Sequence, residues 1–126
     1  MNQTEILNET MKTLMKDLGI RPNLKGYRYA IDAVLYVVTQ DDGMAFSATR
    51  VYQAVADRHG TTVTRVERGI RHAITRMYDT CEPDVLARVF GARTSIRKGK
   101  LTNKEFLWTL AEYFSATPDA DQIGRQ

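Results

Sequence analysis

Residues 60–77 read GTTVTRVERGIRHAITRM, and this stretch decides the fold that we predict. Gly60 permits a tight turn, and Thr61 and Thr62 are suitable caps for a helix that begins after them. At about 100° per residue, the apolar side chains of the stretch fall on one side of that helix. They are Val63, Val66, Ile70, Ala73, Ile74 and Met77. The pattern predicts a sharp turn followed by an amphipathic helix over about residues 62–79.

The opposite side of this helix is cationic. Arg65, Arg68, His72 and Arg76 form a stripe there, and no acidic residue interrupts it. Like charges three and four residues apart repel each other, whereas an ordinary solvated face mixes both signs. The stripe therefore favours a surface that phosphates neutralise on binding, and a solvated amphipathic helix is the alternative.

The residue types on this helix suit contacts with DNA. Arginine can donate two hydrogen bonds to guanine, and glutamate can accept one from the N4 amine of cytosine. A recognition helix presents its N-terminal half to the base edges, which predicts base reading by Arg65, Glu67 and Arg68. Cationic residues farther along the helix suit contacts with the DNA backbone. They are Arg71, His72 and Arg76.

A second short helix precedes the turn. Ser47 is a suitable N-cap for it, and apolar residues follow at helical spacing. Small residues such as Ala56 let two helices cross closely, so the pair joined at Gly60 has the pattern of a helix-turn-helix unit. Many helical proteins have a glycine between two helices that only turns the chain, so this motif alone does not establish DNA binding.

The N-terminal part of the chain also has helical signals. Apolar residues recur at helical spacing over residues 4–18, and Gly19 and Pro22 end that pattern. A central core helix is predicted to begin after Asn23. Its apolar run over residues 33–38 would also suit a buried strand, but the length and spacing of the segment favour a helix.

Two further helices follow the cationic one. Pro83 suits the first turn of a short helix, and Thr102 with Glu105 has capping-box spacing at the start of the last helix. We therefore predict an all-α domain of about six helices around a helix-turn-helix. The domain spans residues 1–115, and a polar tail spans residues 116–126.

Positive charge is concentrated in two segments. The whole chain of 126 residues has a net charge of only +3, but residues 58–76 carry five arginines and one glutamate. Residues 93–104 carry five basic residues and no acid. We expect Lys98 and Lys100 in the second segment to contact the DNA backbone, and a merely solvated loop is the alternative. This clustering indicates a polyanionic partner more strongly than the total charge does.

Other classes of protein fit the sequence less well. The longest apolar run is too short to cross a bilayer, the N-terminus does not resemble a signal peptide, and Cys81 is the only cysteine, so a cytoplasmic protein is expected. The chain has no HExxH, CxxC or phosphate-binding glycine motif, and we expect neither an enzyme nor a cofactor. The spacing of His59, His72 and Cys81 matches no common metal site.

Four segments together resemble a known family. They read KGYRYAIDAV (25–34), RVERGIRHAI (65–74), FGARTS (90–95) and KGKLTNKEF (98–106). In this order and spacing they are similar to the C-terminal DNA-binding effector domain of the bacterial stage-zero sporulation protein A family. The likeness extends from about Ile6 to Phe114.

The resemblance implies a six-helix fold around a helix-turn-helix that binds short elements of the TGTCGAA type, often as tandem copies. It implies base reading by Arg65, Glu67 and Arg68, with Arg71 and His72 supporting backbone contact. It also implies homodimers and contact with the sigma subunit of RNA polymerase around residues 80–93. That segment, TCEPDVLARVFGAR, departs from the family pattern.

Members of this family carry an N-terminal receiver domain that is phosphorylated on aspartate. Here the effector-like region begins a few residues after Met1, so we expect a protein without a receiver, either naturally or because the receiver has been removed. Such a protein would not be switched by that phosphorylation. A stand-alone effector-like domain could alternatively be an antagonist that binds the sigma subunit or a full-length relative.

Overall fold

The computed structural model describes residues 2–40, 47–91 and 100–116. Of residues 115 and 116 it describes the backbone only. Within these ranges the regular structure consists of six α-helices and no β-strand, which confirms the all-α prediction. In chain order they are α1 (Gln3–Asp17), α2 (Lys25–Thr39), α3 (Ala48–His59), α4 (Val63–Thr80), α5 (Pro83–Phe90) and α6 (Asn103–Ala116). None of the described helices is long and apolar enough to span a membrane.

Most of the basic loop and of the polar tail that the sequence predicts lie outside the described residues. Lys100 and Leu101 are the described end of that loop, and Ala116 is the last residue of α6.

The N-terminal helix begins with a capping box. The Glu5 backbone N–H donates to Asn2 Oδ1 at 2.8 Å, and the Asn2 N–H donates to the Glu5 carboxylate at 2.9 Å. These two bonds satisfy backbone donors that have no partner inside the helix. The helix ends within one residue of the predicted position and buries Met11, Leu14 and Met15.

Helix α2 occupies the centre of the fold and packs against α1, α3, α4 and α6. Its fifteen residues form a helix, so the strand alternative for residues 33–38 does not apply. The apolar residues of α2 line a wide buried face, because the helix is covered on most sides. The side chains of Ala30, Ala33 and Val34 have no exposed surface.

Helices α2 and α4 cross with their backbones almost in contact. A Cβ atom added to Gly26 would lie only 2.1 Å from the carbonyl oxygen of Gly69. A Cβ atom added to Gly69 would lie 2.9 Å from the ring of Tyr29. This crossing sets how deeply α4 sits in the fold, and therefore which of its residues reach the surface.

The turn between α3 and α4 is built from the residues that the sequence predicts. Ser47 caps α3, Gly60 has a left-handed φ of 63°, and the Thr62 hydroxyl accepts from the Arg65 backbone N–H at 3.2 Å. The Thr61 N–H donates to the Ala56 carbonyl at 2.9 Å. Ala56 is fully buried, which lets α3 approach α4 closely.

The C-terminal helices complete the core. Phe90 at the end of α5 stacks on Phe106 of α6, with ring centres 5.8 Å apart. The capping box predicted for the last helix is present: the Glu105 N–H donates to the Thr102 hydroxyl at 3.1 Å, and the Thr102 N–H donates to the Glu105 carboxylate at 2.9 Å. The start of α6 is therefore well defined beside α4, with which it is in contact.

Candidate nucleic-acid interface

The exposed side of α4 carries the cationic stripe that the sequence predicts. Arg65, Arg68, His72 and Arg76 are all exposed. Of the apolar residues on the other side, Val63 is half-buried and the rest, from Val66 to Met77, are buried. The division is sharp because the buried side of α4 packs against α2, α3 and α6, which leaves only one side open to solvent.

The acid in the first half of α4, Glu67, is paired. The Glu67 carboxylate accepts a hydrogen bond from the Arg71 guanidinium one helical turn later. The Glu67 side chain is 30% exposed and that of Arg71 is 62% exposed, so the pair lies at the edge of the open surface. The sequence predicts different DNA contacts for these two residues, whereas the structure brings them together.

The backbone of Glu67 has a partner from α6. The Asn103 side-chain amide donates to the Glu67 carbonyl oxygen at 2.8 Å. That oxygen can also accept the ordinary helical bond, because a carbonyl has two lone pairs. Asn103 is 8% exposed, and it is one of few polar residues in the described core. The sequence does not indicate this contact, since a polar residue between Thr102 and Glu105 looks like an ordinary member of a first helical turn.

Tyr52 of α3 joins this buried polar contact. Burial raises the pKa of the Tyr52 phenol, while a hydrogen bond with the Asn103 side chain and the charge of Arg71 lower it in part. The phenol therefore stays protonated well above neutral pH. Asn103 therefore connects α3 and α6 to the first half of α4.

The segment before α6 runs beside α4. The Leu101 backbone N–H donates to the Tyr78 hydroxyl at 3.2 Å, and the Lys100 ammonium lies 6.0 Å from the centre of the Tyr78 ring. That distance is at the limit for a cation–π contact. Two hydrogen bonds therefore attach this part of the chain to α4. Asn103 bonds to Glu67 near the start of α4, and Leu101 bonds to Tyr78 near its end. Lys98, the other predicted backbone contact in this region, lies outside the described residues.

A surface cleft separates α4 from this segment. It is lined on one side by Glu67, Arg71 and Thr75, and on the other by Lys100 and Lys104. The predicted backbone-binding residue Lys100 and the α4 residue Arg71 therefore border the same depression. The structure places the described end of the second basic segment, residues 100–104, next to α4, although about thirty residues separate Lys100 from Arg71 in the chain.

The turn before α4 is supported by an ion pair. His59 Nε2 lies 2.5 Å from Asp32 Oδ2, and Arg58 Nε lies 3.4 Å from the same oxygen. The His59 ring also contacts Tyr29 edge-on, with ring centres 5.2 Å apart. These contacts join the end of α3 to α2. Among the described residues, no cluster of His, Cys, Asp and Glu side chains could hold a metal ion.

Cys81 lies just after α4 and is half-buried. Burial raises the pKa of its thiol, and the nearby charges of Asp84 and Glu82 raise it further, against the opposing effects of a backbone hydrogen bond and Arg88. A thiol with a raised pKa is a weak nucleophile at neutral pH. Nothing in its surroundings indicates a reactive cysteine.

The chain is similar to a known protein family. Residues 11–114 match the family described as Sporulation initiation factor Spo0A C terminal. The match begins within α1 and ends within α6, so it includes the whole of α4 and the segment beside it.

Proposed function

The chain belongs to the family of Spo0A C-terminal domains, which are DNA-binding regulatory domains, and from this premise we propose that it is a sequence-specific transcription regulator of double-stranded DNA. In this proposal α3 and α4 act as a helix-turn-helix, and α4 is the recognition helix in the major groove. The target is a TGTCGAA-like element, as the family resemblance implies.

The cationic stripe of α4 is the observation that carries the proposal. Arg65, Arg68, His72 and Arg76 are all exposed on a helix whose other side is buried. Such a concentration of like charge is unfavourable in the free protein and becomes favourable against phosphates. A contact with a duplex would neutralise the stripe and release condensed counterions.

Base reading is assigned to the first half of α4. Arg65 and Arg68 can each donate a pair of hydrogen bonds to a guanine, and Glu67 can accept from a cytosine. All three lie within about two turns of the helix N-terminus at Val63, which is the part that enters the groove in helix-turn-helix proteins.

Backbone contacts are assigned to residues around the readers. His72 and Arg76 lie farther along the exposed side of α4, and Lys100 lies across the cleft. Such residues fix the orientation of a protein on the duplex without carrying sequence information. Lys98 completes this set. The sequence also predicts a backbone contact for Arg71, but in the structure its guanidinium pairs with the Glu67 carboxylate instead of standing free for a phosphate.

Protein partners form a second part of the proposal. We propose tandem or homodimeric binding on DNA and contact with the sigma subunit through residues 80–93, on the strength of the family resemblance alone. No feature of the described residues favours an antagonist without DNA binding over a DNA reader.

A fluorescence-anisotropy titration tests the DNA-reading proposal. Labelled duplexes with a TGTCGAA element or a scrambled element would be titrated with protein at several salt concentrations. We expect clear preference for the element and an affinity that falls steeply with salt, in proportion to the number of phosphates neutralised. Equal affinity for both duplexes at low salt would contradict the proposal, and binding to purified sigma subunit in that case would support the antagonist.

A further inference from the structure

Glu67 is the only acid in the first half of α4, the half proposed to read bases. Arg71 binds its side chain, and Asn103 binds its backbone carbonyl. We infer that Arg71 and Asn103 are positioning residues for Glu67, which together hold its carboxylate and its backbone in the geometry that reads one C·G pair. This inference rests on the proposed function, because it takes Glu67 as a base-reading residue.

Arg71 restricts the side chain of Glu67. A glutamate with a third of its surface exposed would otherwise sample several rotamers, and ordering it on DNA would cost conformational entropy. Arg71 follows Glu67 by four residues, and helical side chains lean towards the N-terminus, so its guanidinium leans over the carboxylate. The free protein therefore already orders the side chain before it meets DNA.

The pairing leaves the carboxylate able to read a base. Arg71 donates to Oε2, and a carboxylate has acceptor sites on both oxygens, so Oε1 can accept from the N4 amine of cytosine. Arg71 also offsets the negative charge of Glu67, which would otherwise be repelled by the phosphates that flank a groove. An acid on a surface that meets a polyanion is thereby tolerated.

Asn103 restricts the backbone at the same residue. Its amide bonds to the Glu67 carbonyl at 2.8 Å from a site that is 8% exposed. Its position is set by α6, whose capping box defines where that helix begins. This hydrogen bond therefore restricts the rotation of α4 relative to α6 at Glu67, the residue proposed to read the base.

The positioning role differs from a backbone contact in what it changes. An arginine that binds a phosphate strengthens binding to every duplex, and its removal lowers the salt dependence by about one phosphate contact. An arginine that positions Glu67 affects only the base pair that Glu67 reads. The two roles therefore give different patterns over a set of related duplexes.

The experiment is a base-pair scan with four proteins: the wild type, Glu67→Gln, Arg71→Gln and the double variant. Each is titrated with the TGTCGAA duplex and with duplexes that carry a single substituted base pair, and the Glu67→Gln protein shows which pair Glu67 reads. We expect Arg71→Gln to lower discrimination at that same pair by about tenfold, the order of one side chain–base contact. In the Glu67→Gln background, Arg71→Gln should not lower discrimination at that pair any further. The salt dependence of DNA binding by Arg71→Gln should match that of the wild type.

Two further variants keep the test decisive. Lys12→Gln removes the cationic member of the exposed Glu9–Lys12 pair on α1, and it should leave the whole scan unchanged. Asn103→Ala should lower discrimination at the pair read by Glu67, provided that circular dichroism shows a folded protein. If it does not fold, the Arg71 series decides alone, because Arg71 is mostly exposed and its loss should not unfold the chain.

The outcomes separate the inference from the function on which it rests. If the wild type shows no preference among duplexes, the proposed function fails. If the wild type is selective but Arg71→Gln weakens all duplexes equally and lowers the salt dependence, Arg71 is a backbone contact and the inference fails. The inference also fails if Glu67→Gln leaves discrimination intact at every pair.

Discussion

The two flanks of α4 are held in different ways. On the side of α2 the contact is steric: the backbone of Gly69 lies against Gly26, with no room for a side chain between them. On the side of α6 the contact is polar, through the hydrogen bonds of Asn103 to Glu67 and of Leu101 to Tyr78. A steric contact limits how closely a helix can approach, whereas directional hydrogen bonds limit its rotation and register. We therefore expect the first flank to govern stability and the second to govern DNA selectivity.

The strongest test of this contrast is a methyl group on the steric flank. In Gly26→Ala the new Cβ would meet the Gly69 carbonyl at 2.1 Å, so both helices would have to move. We expect a loss of about 3 kcal/mol or more in the free energy of unfolding, at the upper end of overpacking effects. Urea denaturation followed by circular dichroism measures it.

The matched control is the same substitution on the other side of the contact. In Gly69→Ala the close neighbour of the new Cβ is the ring of Tyr29 at 2.9 Å, and the nearest backbone atom, Gly26 N, lies at an ordinary contact distance of 3.6 Å. A side chain can shift where a backbone cannot. The better helix propensity of alanine, about 1 kcal/mol, offsets part of the cost. Equal losses in both variants would show that the crossing does not depend on backbone contact at Gly26.

A change on the open side between the flanks should affect binding and not stability. Arg68→Ala removes an exposed side chain, so the urea midpoint should stay close to that of the wild type. Affinity for the TGTCGAA duplex should fall by about 1–3 kcal/mol, and preference at one base pair should relax. A uniform loss over cognate and scrambled duplexes would remove Arg68 from the base-reading set.

Loss of a hydrogen bond on the polar flank should have a moderate effect on stability. Tyr78→Phe removes the hydroxyl that accepts from the Leu101 N–H but keeps the ring. We expect a loss of about 1 kcal/mol in the free energy of unfolding, the usual contribution of one hydrogen bond. If stability fell as far as in Gly26→Ala, the two flanks would not differ in the way proposed.

Lys100→Ala should weaken binding to all duplexes by a similar factor. Lys100 is exposed across the cleft from Arg71, and the proposal assigns it to a phosphate and not to a base edge. Anisotropy titrations over a range of salt concentrations should show a salt slope smaller by about 1. A change in base preference would place Lys100 in the groove instead.

The smallest effect concerns the buried phenol of Tyr52. Its pKa is raised in the folded protein, mainly by burial, so the folded state disfavours the ionised form. Stability from this group is present below the ordinary tyrosine pKa near 10 and falls as the pH rises through the raised value. Tyr52→Phe should flatten the alkaline part of a plot of unfolding free energy against pH. An unchanged slope above about pH 10 would contradict this assignment.

The sequence predicted the parts of this structure that depend on neighbouring residues. The buried and exposed sides of α4 follow from helical periodicity, and Gly60, Thr62 and Thr102 follow from turn and cap preferences. These signals act within a few residues of the chain. They were sufficient for the helix order and for the exposed arginines.

The contacts around Glu67 could not be predicted in the same way. Asn103 lies 36 residues from Glu67, and its contact depends on how α6 packs on α4. The spacing of Glu67 and Arg71 permits an ion pair, but the sequence does not distinguish such a pair from two separate DNA contacts.

The contact between Gly26 and Gly69 has a consequence for how the sequence can change over generations. The atom that a side chain at position 26 would strike is a carbonyl oxygen, which every amino acid carries, so no replacement at position 69 could make room. Position 69 is different, because the atoms that a side chain at position 69 would strike belong to the Tyr29 ring. A smaller residue at position 29 could make room for it. We therefore expect relatives of this chain to keep glycine at position 26, while positions 29 and 69 drift together as a covarying pair.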